Sequence, residues 1–330
     1  MEKIANQRVF NDTFLEMVKA GEEKKAAVSA QSFTRMKLRE ESFTEKILTP
    51  IDIANDDLDK AENPELLVKW NDREPDTAPA VSIPLGVVPD MYQFNGTRYP
   101  SYFTRITSPK YNKDIDQLRS YDYDIRAIML ELSTKDIATE IDTRFMSRID
   151  SIVGSRNTVN TTTINGQSVS INGLNLPQHV NITGGVTREN VAEAFKVIKR
   201  LKVPFGPSQP DGGESKGVML MNNVTADDFV KMSRSEVGGD LAQEMWINGL
   251  PSKTLLGVKP IYTIKRDLVP DGVIYLFSSE EFFGKYYRLQ PLTVFMKNEA
   301  YFLEYFQYMN LSLAIGNVKG VVKVDFNTYS

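Results

Sequence analysis

The chain has 330 residues, a formal net charge of −4, 41% hydrophobic and 25% charged residues, and no cysteine. This composition is ordinary for a folded protein with a sizeable core, and it excludes disulfides and thiolate metal sites. No stretch reaches the roughly 18 apolar residues of a membrane helix. The first residues lack the apolar core of a signal peptide, and the mild acidity disfavours a protein that grips nucleic acid through a basic patch.

Residues 1–41 are predicted to form an N-terminal arm. Apolar residues near helical spacing, such as Phe10, Phe14 and Val18, precede Gly21 and a charged run. The apolar stripe is too narrow for a domain of its own, so the arm must pack on another surface or stay mobile.

Residues 42–108 contain seven prolines. Because proline fixes φ and removes a backbone donor, this segment is predicted to be neither a central sheet nor a long helix. It nevertheless keeps many aromatic residues, including Trp70, Tyr92, Phe94, Tyr99, Tyr102 and Phe103. We therefore expect an extended arm or hairpin that obtains its order from a neighbouring molecule.

The same segment is strongly acidic between Asn55 and Asp76. Eight acidic residues outnumber three basic ones there, so this stretch carries −5 and the rest of the chain carries +1. Two interpretations stay open: a solvated acidic loop, or a loop tip that docks on a basic patch of another subunit. The candidate contact residues are Asp56, Asp57, Asp59, Glu62, Glu65, Trp70, Asp72 and Glu74.

Residues 114–153 form the clearest predicted helix, because apolar residues recur there mostly at steps of three and four. Gly154 is predicted to end the helix. An unbroken helix of this length would span roughly 60 Å. Either Tyr121-Asp122 or Ser133-Thr134 could divide it.

Residues 155–290 predict a compact mixed α/β domain. Its first part, residues 155–185, is rich in Asn, Thr, Ser and Gly, which is typical of a surface hairpin or loop. Thr187 is a plausible N-cap for a helix that runs to Lys202. Further helices are predicted from Thr225 and over Asp240 to Ile247, and strands over 217–221, 259–264 and 273–277.

Residues 291–330 are β-rich, with strands predicted over 292–297, 300–314 and 320–326. Five aromatic residues fall within one of these strands: Tyr301, Phe302, Tyr305, Phe306 and Tyr308. They are predicted to form a sheet face that packs on the long helix.

Residues with catalytic chemistry are few. The single histidine, His179, falls in a predicted loop, and no Gly-x-Ser-x-Gly motif supplies a nucleophile for it. The acidic run from Asn55 to Asp59 resembles half of a calcium loop, but the twelfth position is Leu66 where a glutamate is needed. We expect no catalytic residue, no metal and no cofactor. An enzyme with an acidic cleft stays a distant alternative, because it would need only a convergent carboxylate pair.

The order of these parts resembles the Hong Kong ninety-seven fold of tailed-bacteriophage major capsid proteins. Local patterns are similar too, over residues 137–145, 249–261, 273–284 and 315–322. The resemblance implies an α+β major-capsid fold. Its expected parts are an N-arm (1–41), an extended E-loop with flanking strands (42–108), a P-domain with the long spine helix (109–154), a mixed α/β A-domain (155–290), and a return through the P-domain sheet (291–330) whose last strand joins that sheet or the A-domain.

The resemblance also implies a function. Hexamers and pentamers would build an icosahedral or prolate shell around double-stranded DNA, with the E-loop and N-arm between subunits, in a virion assembled in the host cytoplasm. The implied partners are other copies, a separate scaffolding protein, a portal and a decoration protein, without sequence-specific DNA binding and without a membrane. An encapsulin-like compartment is the nearest alternative, and a tail or decoration component is another.

Some members of that family crosslink the E-loop to a P-domain through a Lys–Asn isopeptide bond. The corresponding candidates in this chain are Lys60 or Lys69 on one side and Asn298 or Asn317 on the other.

Overall fold

A computed structural model describes residues 42–75, 80–93, 95–119, 125–154, 159–164, 167–172, 178–198, 203, 205, 217–230 and 258–326. The predicted arm at 1–41 and the predicted helix over Asp240 to Ile247 lie outside the described residues.

The described residues form six α-helices: α1 (Phe43–Ile47), α2 (Ile115–Arg119), α3 (Ile125–Gly154), α4 (Arg188–Ile198), α5 (Asn223–Val230) and α6 (Glu280–Phe283). Their strands are β1 (Pro50–Asp52), β2 (Val68–Arg73), β3 (Thr97–Tyr102), β4 (Thr104–Thr107), β5 (Tyr111–Asp114), β6 (Val159–Ile164), β7 (Gln167–Asn172), β8 (His179–Ile182), β9 (Val218–Asn222), β10 (Lys259–Thr263), β11 (Val273–Phe277), β12 (Gly284–Glu299), β13 (Phe302–Ile315) and β14 (Val321–Phe326). The α+β class predicted from the sequence is confirmed.

The long helix α3 has 30 residues, which corresponds to roughly 45 Å. The predicted helix over 114–153 is present as α2 and α3, beginning at Ile115 because Asp114 ends β5, and the possible division at Tyr121-Asp122 lies outside the described residues. Ser133 and Thr134 do not divide α3. Their hydroxyls donate to the carbonyls of Met129 and Leu130 at 2.7 and 2.8 Å, so both side chains are satisfied within the helix.

A five-stranded sheet is built around the antiparallel hairpin of β12 and β13. β1 pairs with the far side of β12, whereas β4 and β5 pair one after the other with β13. The register of the hairpin shifts twice between Arg288 and Thr293. Pro291 lies in this irregular stretch, which fits a residue that has no N–H for a regular ladder.

A seven-stranded mixed sheet has the order β10-β9-β11-β14-β8-β7-β6. The strands predicted over 217–221, 259–264 and 273–277 are confirmed to within one residue, and the Asn- and Thr-rich segment forms the hairpin of β6 and β7. The last strand, β14, pairs with β11 and β8 in this sheet.

Both faces of the seven-stranded sheet are covered at β9, which explains the continuous apolar run in that strand. Val218 and Leu220 belong to the core cluster that contains α3, whereas Met219 and Met221 belong to the cluster that contains α4 and α5. Strands buried on both sides are expected to read as unbroken apolar runs.

The helix α3 joins both sheets through one continuous core. Its buried stripe follows helical spacing through Ile137, Ile141, Phe145 and Ile149. At its centre Phe145 lies 5.5 Å from the ring of Phe277 in β11 and 6.2 Å from that of Phe283 in α6. The same cluster takes in Met309, Leu311 and Leu313 of β13. The helix is therefore the shared support of the two sheets.

Candidate functional site

The first exposed feature is the connection between the paired strands β2 and β3. Its residues 80–93, here called the apolar loop, expose side chains that are normally buried: the relative exposure is 105% for Leu85 and 99% for Met91. Val81, Val88 and Tyr92 are exposed too. A turn closes on a hydrogen bond of 3.3 Å from Val87 N to the carbonyl of Pro84.

Gly86 holds this turn with φ of +88°, in a region that glycine adopts readily and other residues avoid. The exposure of Leu85 therefore follows from the turn that the local sequence forms, and not from a contact that holds the side chain outward.

The second feature is an aromatic surface on the five-stranded sheet, here called the aromatic face. The rings of Phe295 and Phe306 lie 5.1 Å apart, and those of Phe306 and Tyr308 lie 5.9 Å apart. The Arg105 guanidinium lies 5.3 Å from the Tyr308 centroid, within cation–π range. Phe295 is 44% exposed. Such partly exposed aromatic groups are typical of interaction surfaces.

The prediction that all five aromatic residues of 301–308 pack on the long helix is wrong for four of them. Side chains alternate along a strand, and only Tyr305 is buried in the cluster that contains Leu130 of α3. Tyr301, Phe302, Phe306 and Tyr308 stay partly or largely exposed. The aromatic side chains of this strand therefore lie on both faces of the sheet.

The acidic residues predicted to form a loop tip lie elsewhere in the structure. Asp56 and Asp57 belong to a 3-10 turn at Asn55–Asp57, and Asp59, Glu62 and Glu65 follow it before β2. Within β2 lie Trp70 and Asp72, and Glu74 comes directly after it. The far end of the hairpin is instead the apolar loop. The docking role of the acidic residues stays a prediction.

Some of these residues have structural partners within the chain. Asp59 Oδ2 accepts a hydrogen bond of 2.8 Å from Trp70 N and lies 3.6 Å from Lys69 Nζ. Across the hairpin, Asp72 Oδ1 accepts a hydrogen bond of 2.6 Å from Arg98 Nε.

The other acidic residues form fewer contacts within the chain. Asp57 Oδ2 accepts a hydrogen bond of 3.1 Å from Ala54 N. By contrast, Asp56, Glu62, Glu65 and Glu74 are exposed, and no described residue forms an ion pair with their carboxylates.

The four crosslink candidates do not meet within one described chain. Lys69 Nζ donates to the carbonyl of Asp57 at 2.6 Å, and the carbonyl of Lys60 accepts from Trp70 Nε1 at 3.4 Å. Asn298 lies near the turn of the β12–β13 hairpin, opposite Leu303. Asn317 Oδ1 caps a 3-10 turn by accepting from Lys319 N at 3.0 Å. The crosslink stays a prediction, which a ladder of covalent multimers on a denaturing gel would check.

A buried carboxylate on α3 is a feature that the sequence reading missed. Asp142 is fully buried and accepts hydrogen bonds from the hydroxyls of Ser42 and Thr44, the latter at 2.7 Å, and from Thr44 N at 3.1 Å. Its second oxygen pairs with Lys265 Nζ at 2.6 Å. Asp142 therefore joins the N-terminal end of α1, the long helix and the loop after β10.

A sequence signal for this cluster did exist. Asp142 falls directly after Ile141 on the apolar stripe of α3, and a charge within such a stripe must find a partner when it is buried. The sequence could not name Lys265, which is 123 residues away.

His179 does not lie in a loop, as predicted, but begins β8 and pairs in register with Lys323 of β14. Burial lowers the pKa of His179, and the charge of Lys323 lowers it further. Within the described residues, no three His, Asp or Glu side chains converge as metal ligands would. No helix among the described residues is both long and apolar enough to cross a bilayer.

Comparison with known proteins gives the class of fold. No family model matches the chain, and no curated protein matches its sequence. Solved structures do match. A chain of the mature capsid of bacteriophage PhiM1 matches with a TM-score of 0.56 at 9% identity, over 88% of this chain and 89% of that chain.

Two further matches agree with the first. A chain of the capsid of cyanophage P-SCSP1u gives a TM-score of 0.55 at 10% identity, over 87% of this chain and 89% of that one. A chain of the capsid of the native GTA particle matches with a TM-score of 0.51 at 13% identity, over 88% of this chain and 91% of that chain. The chain has the fold of these capsid chains, an α+β fold that covers nearly its whole length.

Proposed function

We propose that this chain is a major capsid protein of a tailed phage, whose copies assemble into a closed shell. The observation that carries the proposal is the fold likeness to capsid chains over 87–88% of the chain. In this proposal the five-stranded sheet with α3 is the P-domain, the seven-stranded sheet is the A-domain, and the hairpin of β2 and β3 is the E-loop of a Hong Kong ninety-seven type subunit.

The apolar loop supplies a reason for self-association. Exposed Leu85, Val88 and Met91 are unfavourable in water, and burying such a side chain is worth roughly 1.5–3 kcal/mol. We assign the loop of one copy to the aromatic face of a second copy, where Phe295 and Phe306 offer a partly exposed apolar surface. Each contact is modest, but many symmetric copies add them into a stable assembly.

The charge balance is compatible with a DNA container. With a net charge of −4 the chain has no excess of cations to neutralise phosphates. Within the proposed phage-capsid function we assign double-stranded DNA as the enclosed cargo, and the charge argues only against tight or sequence-specific binding of it. Hexamers and pentamers, a scaffolding protein, a portal, a decoration protein and a virion location belong to the same proposal, and we assign the chain no enzymatic role.

Electron microscopy of the purified full-length chain, alone and co-expressed with its genomic neighbours, tests the shell function. We expect closed polyhedral shells, or rings of five and six. A monodisperse monomer under every condition would reject the proposal. The nucleic-acid content of nuclease-treated shells separates a virion from an encapsulin-like compartment, since the latter would enclose protein.

Two sets of variants test the assigned contact. The triple change Leu85→Ser, Val88→Ser and Met91→Ser and the double change Phe295→Ser and Phe306→Ser should each leave soluble subunits without closed shells. The control is Leu132→Ser with Ile264→Ser, two side chains exposed on other surfaces (45% and 60%), which should still form shells. Normal shells from either test variant would reject the contact.

A further inference from the structure

A cavity of about 480 Å³ lies where the base of the β2–β3 hairpin meets the C-terminal half of α3 and the end of β13. Its polar lining comes from Tyr99 of β3 and from Ser147, Arg148 and Ser151 of α3. Pro100, Ile152 and residues 313–315 of β13 complete the wall, and none of the lining residues is acidic.

Arg148 has a charge without a described counter-ion. One guanidinium nitrogen, Nη1, donates to the carbonyl of Leu313, and no described residue forms an ion pair with this arginine. Other arginines of the fold have acidic partners: Arg144 Nε lies 2.8 Å from Glu140, and Arg288 Nε lies 2.5 Å from Asp52. Arg148 is an exposed residue, and it keeps several donors that an incoming group can reach.

The surroundings of Arg148 make an anion favourable. Partial burial lowers the pKa of Arg148, and the nearby positive charge of Arg144 lowers it further; a negative charge placed here would offset the repulsion between the two arginines. Burial raises the pKa of Tyr99, which keeps its hydroxyl protonated as a donor. A guanidinium fork beside hydroxyl donors matches the oxygens of a carboxylate or a phosphate.

We propose that this cavity receives a carboxylate from the acidic segment 56–65 of a second copy of the chain. The inference rests on the proposed shell function and names the partner group of one contact within it. The segment suits this role because Asp56, Glu62 and Glu65 are exposed and no described residue pairs with their carboxylates. Asp57 and Asp59 meanwhile bond to the backbone of Ala54 and Trp70, which holds the segment in place.

A phosphate of packaged DNA is the competing occupant, and the observations favour it less. Binding to a nucleic-acid backbone is carried by several cations that track successive phosphates. Among its lining residues this cavity offers the guanidinium of Arg148 alone, and the nearby Arg144 and Arg73 are not part of its wall. The acidic segment, by contrast, belongs to a stretch with a charge of −5 and is present in every copy.

The experiment is a charge reversal with rescue in the full-length chain. Arg148→Glu should fold, by circular dichroism and thermal melting, but should lower the shell fraction in a sedimentation gradient by about tenfold or more, because the reversal removes a favourable charge contact and places like charges opposite each other. Adding Asp56→Lys, Glu62→Lys and Glu65→Lys to the same chain restores opposite charges between copies and should restore shells. Arg148→Gln is the second variant. Its amide can still donate a hydrogen bond, but it places no negative charge opposite the carboxylate of the second copy.

Each outcome separates this inference from the shell function. If wild-type chains form no shells, both proposals fail. If Arg148→Glu and Arg148→Gln form normal shells, only this inference fails, and a loss of DNA retention in those shells would assign the cavity to phosphate. If both variants fold but the lysine changes restore nothing, the acidic segment is not the occupant.

Discussion

The long helix α3 and the apolar loop contain similar apolar residue types, but the helix buries them and the loop exposes them. Helix α3 buries Ile137, Ile141 and Phe145 in the common core, whereas the loop leaves Leu85 and Met91 almost fully in solvent. The difference lies in the backbone. A helix pairs its own N–H and C=O groups and so enters the core of its own subunit, whereas a segment with Pro75, Pro79, Pro84 and Pro89 cannot form such a regular element. Apolar composition alone therefore does not predict burial within the same chain.

The largest expected effect is a break in the helix. Ala138→Pro removes a backbone hydrogen bond and adds a clash at a buried position, at a cost of about 3 kcal/mol or more. Far-UV circular dichroism and denaturant unfolding measure it. Ala138→Gly is the matched control and should cost only about 1 kcal/mol. Unchanged helical content and melting temperature for the proline variant would contradict the assignment of α3.

The next effect concerns the buried ion pair. Asp142→Ala leaves Lys265 without its carboxylate and removes the acceptor for Ser42 and Thr44, so it should cost roughly 3–5 kcal/mol of unfolding free energy. Chemical denaturation checks the value, with the exposed Asp136→Ala on the same helix as control. Adding Lys265→Met should recover part of the loss, and strict additivity of the two changes would show that they do not interact.

A smaller effect is expected at the turn of the β12–β13 hairpin. Ala300 has φ of +55°, in the left-handed region that costs a residue with Cβ about 1–2 kcal/mol. Ala300→Gly should raise the unfolding free energy by about 0.5 kcal/mol, since glycine removes this strain but makes the unfolded chain more flexible. Thermal melting measures the shift. A destabilised glycine variant would show that the left-handed backbone is not strained.

The smallest effect on stability is expected in the apolar loop. Leu85→Ser, Val88→Ser and Met91→Ser should each change the unfolding free energy of the isolated subunit by no more than about 0.5 kcal/mol, because these side chains are exposed. Denaturation below the concentration of assembly measures this. A large loss would mean that the loop stabilises its own subunit, and the contrast with α3 would then not hold.

The sequence by itself determined those features whose cause is local. Helical spacing predicted α3, and continuous apolar runs predicted β9 and β11. The concentration of prolines predicted that residues 42–108 would form neither a long helix nor a central strand, and in the described residues it forms the β2–β3 hairpin with its exposed connection.

Only the tertiary structure decided which side of each element is covered and which distant groups meet. Strand alternation already separates Tyr305 from Phe302, Phe306 and Tyr308, but only the tertiary structure showed that the face of Tyr305 is the one that meets α3. Sequence patterns also could not bring Lys265 to Asp142, or set Arg148 in a cavity beside Tyr99. These contacts depend on the packing of segments far apart in the chain, and a periodic pattern carries information only about its own element.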